Sequence, residues 1–230
     1  CFNNSTESWG VDIEVGSTVL SDLKKVFISQ EKDVDEDIMC RAIETGRLEI
    51  VSFLVKIAGR EHQATAATCA AKHGNLHILT FLHTQSLPWD CTTTDAAARH
   101  GHLDCLQYAH THGCPLDTSA LTAAATGGHL SCLQYIISAG IAWHRDVCSA
   151  AAEQGHLHIL THAYNNDCPW DDFVTENAAK HGHLQCLQFA LERGCAMSEV
   201  AAFKACVHGH LDCLALLYDC EAPIDEITAA

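Results

Sequence analysis

The chain has 230 residues, of which 48% are hydrophobic and only 4 are proline, a composition that predicts a folded protein rather than a disordered one. It contains 13 lysines and arginines against 29 aspartates and glutamates, for a net charge of −16. This excess of acid argues against nucleic acid or anionic lipid as a partner, because like charges repel before they dock, and it favours a neutral or basic protein.

Residues 1–33 form an N-terminal segment in which Leu20 and Leu23 fit the second helix of a degenerate repeat. The segment opens at Cys1 without an initiator methionine, so we expect a processed or partial polypeptide. It has no charged-then-apolar secretory signal, and no apolar run in the chain approaches the ~20 residues that span a bilayer. The acidic run EKDVDED, residues 31–37, is typical of a solvated helix start, with a docking tail as the alternative.

A repeat organises the rest of the chain. Six glycines follow one another at intervals of 27 residues, and leucine occupies the second and fifth positions after each of them. An Ala-rich turn precedes the glycine in most copies, and an earlier, degenerate copy surrounds Gly46. This spacing predicts a unit of helix, glycine, helix, in which the glycine ends the first helix in the left-handed conformation. The six are Gly74, Gly101, Gly128, Gly155, Gly182 and Gly209.

Proline punctuates the repeats at the end of the second helix, at Pro88, Pro115, Pro169 and Pro223. Residues 34–230 therefore make up an array of about seven repeats, the last of which starts at PIDEITAA and stops before its glycine. Such arrays need polar terminal units, because an end repeat exposes the face that its neighbour would bury. Neither end shows a cap, so we expect that the native chain continues or that another protein covers the end.

The pattern AAxxGHLxCL, followed by a helix and Gly-Cys-Pro, resembles the ankyrin repeat over about residues 36–230. The version is shortened and rich in Cys and His, similar to those of large DNA viruses and protists. The resemblance implies an all-α solenoid of stacked helix-turn-helix repeats. Two departures are the missing Thr-Pro-Leu-His opening of the first helix and the period of 27 in place of ~33. The missing residues belong to the β-hairpin fingers, so we expect no binding through long fingers.

The 17 histidines and 14 cysteines raise the question of a metal or redox site. Two cysteine columns hold Leu or Ile in sister repeats, which indicates buried apolar positions. Equivalent residues of stacked helices lie ~8–10 Å apart, too far for a disulfide or a shared zinc ion. We therefore expect reduced structural thiols, no metal, no cofactor, and a cytoplasmic or other reducing compartment. The columns are Cys105, Cys132, Cys186 and Cys213, and Cys114, Cys168 and Cys195.

Histidine follows five of the six glycines, and Asn75 follows the other. Both side chains offer a polar atom to the backbone at the helix turn, which explains why they exchange. The sequence shows no nucleophile turn, phosphate-binding glycine loop, zinc spacing or paired carboxylate motif, so we predict no enzymatic activity and no catalytic residue. The histidines are His102, His129, His156, His183 and His210.

The columns that vary from copy to copy are free to recognise a partner. The two positions before each glycine are such columns. In ankyrin-like proteins this stretch lies on the concave binding face, and the resemblance implies the same role here. A merely solvated helix end is the alternative. The candidate partner-binding residues are Lys72, His73, Arg99, His100, Glu153, Gln154, Lys180, His181 and His208.

A loop column with Trp89, Trp143 and Trp170 supplies a second set of candidates, because exposed tryptophan is typical of interface hot spots. Aliphatic residues replace Trp in the other repeats, which favours packing between repeats. Asp90 and Asp171 are expected to cap the next helix.

Together these features predict a non-enzymatic scaffold that binds another protein through its concave face. The partner can belong to a larger complex, and no membrane insertion is expected. One alternative is a structural subunit that holds a multi-protein assembly together. Another is an adaptor or effector that delivers a client protein, although residues 1–33 contain no recognisable second module.

Overall fold

The structure, a computed structural model, describes residues 36–57 and 60–221. The predicted N-terminal segment, residues 1–33, and the start of a further repeat at 223–230 lie outside the described residues. Within the described ranges, no helix has the length and apolar character needed to cross a bilayer.

Fourteen helices in seven pairs make up the described part of the chain, which contains no strand. The all-α repeat architecture is as predicted, and the connections between pairs hold no β-hairpin there. The helices are α1 (Glu36–Glu44), α2 (Leu48–Ile57), α3 (Arg60–Lys72), α4 (Leu76–Thr84), α5 (Cys91–Arg99), α6 (Leu103–Thr111), α7 (Thr118–Gly127), α8 (Leu130–Ser138), α9 (Asp146–Glu153), α10 (Leu157–Asn165), α11 (Phe173–His181), α12 (Leu184–Glu192), α13 (Ala201–His208) and α14 (Leu211–Glu221).

The first helices of the repeats, α1 to α13 by odd numbers, each pack against the next one along the array. Paired alanines near their C-terminal ends, such as Ala97 and Ala98 in α5, are fully buried. Small side chains allow close approach: a Cβ built on Gly127 of α7 would lie 2.0 Å from the carbonyl oxygen of Arg99 in α5. The Ala-rich turns are therefore the packing surface of one layer.

The second helices, α2 to α14 by even numbers, close the core with an aliphatic stripe. In α8 the buried side chains are Cys132, Leu133 and Ile136, spaced so that they share one face of the helix. The same columns hold Ile159 and Leu160 in α10. Burial of these side chains is the main stabilising contribution, at roughly 1.5–3 kcal/mol for each large aliphatic residue.

Aspartates cap the start of α5, α7 and α11, as predicted for Asp90 and Asp171. A side-chain oxygen of Asp90 accepts a 3.0 Å hydrogen bond from the Thr92 N–H. Asp117 caps α7 in the same way through Ser119, and Asp171 accepts from the Phe173 N–H at 3.2 Å. These bonds satisfy N–H groups that the helix itself leaves unpaired.

Cys40 of α1 and Cys69 of α3 form a disulfide, with their Cα atoms 5.6 Å apart. The expectation that the thiols are all reduced is wrong for this pair, because the first helices carry small side chains and approach more closely than the ~8–10 Å assumed for stacked helices. The seven column cysteines, by contrast, are free and buried, as the apolar replacements in sister repeats predicted.

Candidate protein-interaction surface

The residues at the two positions before each repeat glycine line up along one edge of the array, at the C-terminal ends of α3, α5, α7, α9, α11 and α13. We call this set the helix-end row. Its members differ in exposure: Lys72, Arg99, His100, Gln154, Val207 and His208 are exposed, whereas the other members are half-buried. The row is Lys72, His73, Arg99, His100, Thr126, Gly127, Glu153, Gln154, Lys180, His181, Val207 and His208.

Histidines from the following repeat hold the backbone of the helix-end row in place. Nε2 of His102 donates a 3.1 Å hydrogen bond to the Lys72 carbonyl, and Nε2 of His183 donates a 3.0 Å bond to that of Glu153. Because a carbonyl only accepts, Nε2 carries the proton in each case. The histidines therefore bond to backbone as predicted, but they do so across repeats. A partner at this edge meets the side chains of the row rather than these carbonyls.

The N-terminal part of the row is a basic cluster made of Lys72, His73, Arg99 and His100. Burial lowers the pKa of His100, and the charges of Lys72, His102, Arg99 and His73 lower it further. Lys72 and Arg99 are therefore both near the His100 ring, so this part of the row groups two permanent positive charges. This cluster is suited to holding an anionic group.

The middle of the row is neutral. Thr126 donates its hydroxyl proton to the Thr122 carbonyl within α7, at 2.8 Å. Gly127 has no side chain to offer and lies against the Arg99 carbonyl. The array thus has a gap in the row between the basic cluster and the residues of α9.

The C-terminal part of the row contains its own counter-charge. Nε2 of His181 lies 3.8 Å from Oε1 of Glu153, close enough for an ion pair when the ring is protonated but too long for a hydrogen bond. Burial and the nearby Lys180 lower the pKa of His181, while Glu153 raises it. His208, in α13, donates from Nδ1 to the Lys204 carbonyl at 2.9 Å, which holds its ring against its own helix.

The order of helices and the turn geometry can be compared with known proteins. Residues 94–137 match the family model described as ankyrin repeats in many copies. The crystal structure of the human ASB11 ankyrin repeat domain superimposes with a TM-score of 0.55 at 17% sequence identity, over 69% of this chain and 85% of that one. The fold is that of an ankyrin-repeat domain. No match was found among curated protein sequences.

Ankyrin repeats are in general modules of protein–protein interaction. In this ankyrin-type array the three tryptophans of the loop column are half-buried against the core. Trp89 stacks on His83 with ring centroids 4.3 Å apart, and Trp170 lies 4.8 Å from the ring of Tyr164. Trp143 faces His162 at 6.3 Å. These contacts support the packing interpretation of the column.

Sequence reasoning missed a set of bonds between the second helices of neighbouring repeats. Nδ1 of His83 lies 3.0 Å from the Tyr108 hydroxyl, and Nδ1 of His110 lies 2.8 Å from the Tyr135 hydroxyl. Both pairs are separated by 25 residues. The sequence did contain a signal for these bonds. His83 and His110 recur at the 27-residue period, as do Tyr108 and Tyr135, and each histidine precedes its tyrosine by 25 residues.

The thiols of the array act as packing groups and weak donors. The Sγ of Cys114 donates to the Asp90 carbonyl at 3.1 Å, and Cys195 bonds to Asp171 in the same way at 3.2 Å. Burial raises the pKa of Cys114 to about 12 and that of Cys195 to about 11. Over residues 36–57 and 60–221, no three His, Cys, Asp or Glu side chains converge as metal ligands.

Proposed function

We propose that this chain is a non-enzymatic scaffold that binds another protein through the side chains of the helix-end row. The observation that carries the proposal is that, within each repeat, the recurring positions build the scaffold while the variable positions are left free to bind. The recurring Ala, Leu, Cys and post-glycine His positions are used in packing and in bonds between repeats. The positions just before the glycine vary, and several are exposed. In ankyrin-like proteins this edge belongs to the concave binding face.

Affinity capture from the native source, with identification by mass spectrometry, tests this function. The parent chain is compared with a variant that carries Arg99→Glu and Lys180→Glu, both in the helix-end row. Each reversal removes a favourable interaction with the helix dipole of ~0.3–1 kcal/mol, so the melting point is measured first as a baseline. Loss of the captured partner from the folded variant supports the proposal. Equal capture by both chains refutes a site in the row.

A second candidate function, a structural subunit within a larger assembly, is favoured by the last helix pair. Phe203 and Val207 of α13 are 68% and 62% exposed, and Leu211 of α14 is 72% exposed. Among the described residues, no atom lies within 4 Å of a Cβ built on Gly209, whereas a histidine ring from the next repeat covers each of the other five glycines of the 27-residue series. Exposed apolar surface of this kind marks a contact face, which either a following repeat or another subunit can cover.

Sedimentation velocity separates the two functions. An independent binder, expressed as residues 34–230 with a polar capping repeat, should be monodisperse. An obligate subunit should aggregate without its neighbours, and capping should not restore its solubility if other faces are also covered in the assembly.

A cytoplasmic or other reducing compartment belongs to the same proposal, because buried free thiols persist most readily where disulfides are kept reduced. The Cys40–Cys69 disulfide argues in the other direction. The alkylation state of Cys40 and Cys69 in protein isolated from the native source, trapped with acid at lysis, decides between these environments.

A further inference from the structure

We propose that the partner presents an acidic segment, and that its carboxylates dock on the basic cluster of Lys72, His73, Arg99 and His100. This inference rests on the proposed function and names the chemistry of the partner. It assigns binding to the first two repeats of the helix-end row rather than to its whole length.

The four residues lie close together because α3 and α5 are adjacent helices of one layer. The 3.1 Å bond from His102 to the Lys72 carbonyl ties the end of α3 to the turn that follows His100. His102 lies two residues beyond His100 and adds a third imidazole to the same area. The cluster is therefore a single patch that one ligand segment can cover.

The cations of this patch have no carboxylate counterpart at contact distance. In the described part of the chain, neither Lys72 nor Arg99 forms an ion pair with an acidic side chain. Arg99 acts on Asp95, one helical turn earlier, only through space. The Asp95 carboxylate is instead bonded to the Ser119 hydroxyl at 2.7 Å.

Two cations of the later repeats have carboxylate partners. Lys204 pairs with Glu176, and Arg145 lies 3.5 Å from Asp171. In the helix-end row itself, Glu153 lies 3.8 Å from His181 and therefore offsets the positive charge that Lys180 and His181 bring to the later repeats. Within the described residues Lys180 forms no ion pair of its own, but it lies next to the Glu153–His181 pair. Lys72 and Arg99 are instead two unpaired cations on adjacent helices, and this adjacency locates the anion site.

The net charge of −16 does not exclude an acidic ligand. Charges are screened over a Debye length of about 8 Å at physiological ionic strength, so the groups in contact decide whether a segment stays bound. The overall charge acts at longer range and slows association. An acidic segment should therefore bind the cluster locally, although a neutral or basic protein remains the easier partner for the rest of the surface.

The geometry of the array suggests a spacing for the acidic residues. Stacked helices lie ~8–10 Å apart, and an extended peptide advances ~3.3 Å per residue. A glutamate at every third position would therefore place one carboxylate at each repeat. Lys and Arg hold such carboxylates through charge-assisted hydrogen bonds.

The test uses the full chain and a fluorescein-labelled peptide of about 12 residues with glutamate at every third position, one such position per repeat. A peptide with glutamine at the same positions is the control ligand. Fluorescence anisotropy is measured for the parent, for Lys72→Glu with Arg99→Glu, and for Lys56→Glu with Arg193→Glu. The last is the matched control protein, because it reverses the same number of charges at exposed residues that end second helices, outside the helix-end row.

We expect the glutamate peptide to bind the parent and to lose affinity as salt is raised from about 0.05 M to about 0.5 M. Lys72→Glu with Arg99→Glu should weaken binding at least about tenfold, and Lys56→Glu with Arg193→Glu should change it by less than about threefold. Melting curves confirm that all three proteins are folded.

Equal binding of the glutamine peptide, or equal binding by Lys72→Glu with Arg99→Glu, overturns the inference. Tighter binding of a single-stranded DNA oligonucleotide, with the same dependence on Lys72 and Arg99, also overturns it, because phosphate would then be the better ligand. If the peptide fails but Arg99→Glu with Lys180→Glu still abolishes capture of the native partner, the interaction surface stands and only the acidic chemistry is wrong.

Discussion

The imidazole of His183 lies directly on Gly155, so that a Cβ at Gly155 would be 2.5 Å from Nδ1 of the ring. Gly155 also has φ of +73°, in the left-handed region. The two constraints are independent: one is backbone conformation, and the other is the space taken by a side chain from the next repeat. Glycine at this position therefore serves both the end of its own helix and the stacking of the neighbouring unit.

Gly155→Ala should destabilise the protein by roughly 2–4 kcal/mol, because the new methyl group meets both a strained φ and the His183 ring. Urea unfolding followed by circular dichroism measures the effect. Gly194→Ala is the matched control: Gly194 has φ of +76°, but no atom lies within 4 Å of its Cβ position. It should lose only ~1–2 kcal/mol, the cost of the left-handed conformation alone. Equal losses in the two variants would show that the ring contact has no energetic weight.

Acidification should destabilise the array through its histidines. Burial, followed by the charges of His102 and His156, lowers the pKa of His129 below its ordinary value of 6.5. The pKa values of His100 and His181 are lowered as well. The unfolded chain then binds more protons than the folded one in this range. The free energy of unfolding is therefore highest above pH 6.5 and decreases as pH falls below it.

Urea titrations at about pH 7.5 and about pH 5.5 measure this dependence while staying above the range in which the carboxylates titrate. His129→Asn is the informative variant, because Asn75 fills the equivalent position in another repeat and its amide bonds to backbone there. The variant should keep most of the stability at neutral pH and lose part of the pH dependence. A parent protein that became more stable on acidification would contradict the assignment of lowered pKa values.

The repeat period was enough to predict most of the fold. The glycines define the 27-residue interval, and the leucines and alanines around them identify the two packing layers. This works because each column faces the same environment in every copy. The capping role of Asp90 followed from local sequence for the same reason, since its partner, Thr92, is two residues away. Interactions that repeat, or that are local, are visible in a single sequence.

Interactions that occur between only one pair of repeats could not be predicted from the sequence. The Cys40–Cys69 disulfide depends on how closely α1 approaches α3, and neither cysteine lies in the two cysteine columns of the repeat. The pairing of Glu153 with His181 spans 28 residues and occurs once in the helix-end row of the described repeats. It divides the row into a part whose cations are unpaired and a part in which Glu153 offsets a basic side chain. Distances between helices, which a column alignment does not contain, decide both.

Leu133→Ala should cost roughly 2–5 kcal/mol, because the fully buried side chain of Leu133 leaves a cavity when it is shortened. Leu211→Ala is the control, because Leu211 also lies in a second helix but is 72% exposed. Its side chain buries little apolar area, so its loss should change the free energy of unfolding far less. Urea unfolding of both variants gives the comparison. Similar losses would mean that the exposed face around Leu211 is covered in solution, which would favour the structural-subunit alternative.

Thiol accessibility tests the packing role of the column cysteines in the folded protein. Burial raises the pKa of Cys132 and of Cys186 to about 11, so few thiolates form near neutral pH, and the same burial blocks a reagent from reaching the sulfur. Cys206 and Cys220 are exposed and provide internal controls within the same chain. We expect a maleimide to label these two within minutes and the column cysteines only on the timescale of unfolding.

Peptide mass spectrometry at increasing labelling times assigns the modified sites, and a parallel sample in urea shows that every thiol can react once the chain is unfolded. The Cys40–Cys69 disulfide should keep both of its cysteines unlabelled in urea until a reductant is added. Rapid labelling of Cys132 or Cys186 in the folded protein would place their sulfurs at the surface. The cysteine columns would then have to be explained by reactivity, because burial in an apolar column could no longer account for them.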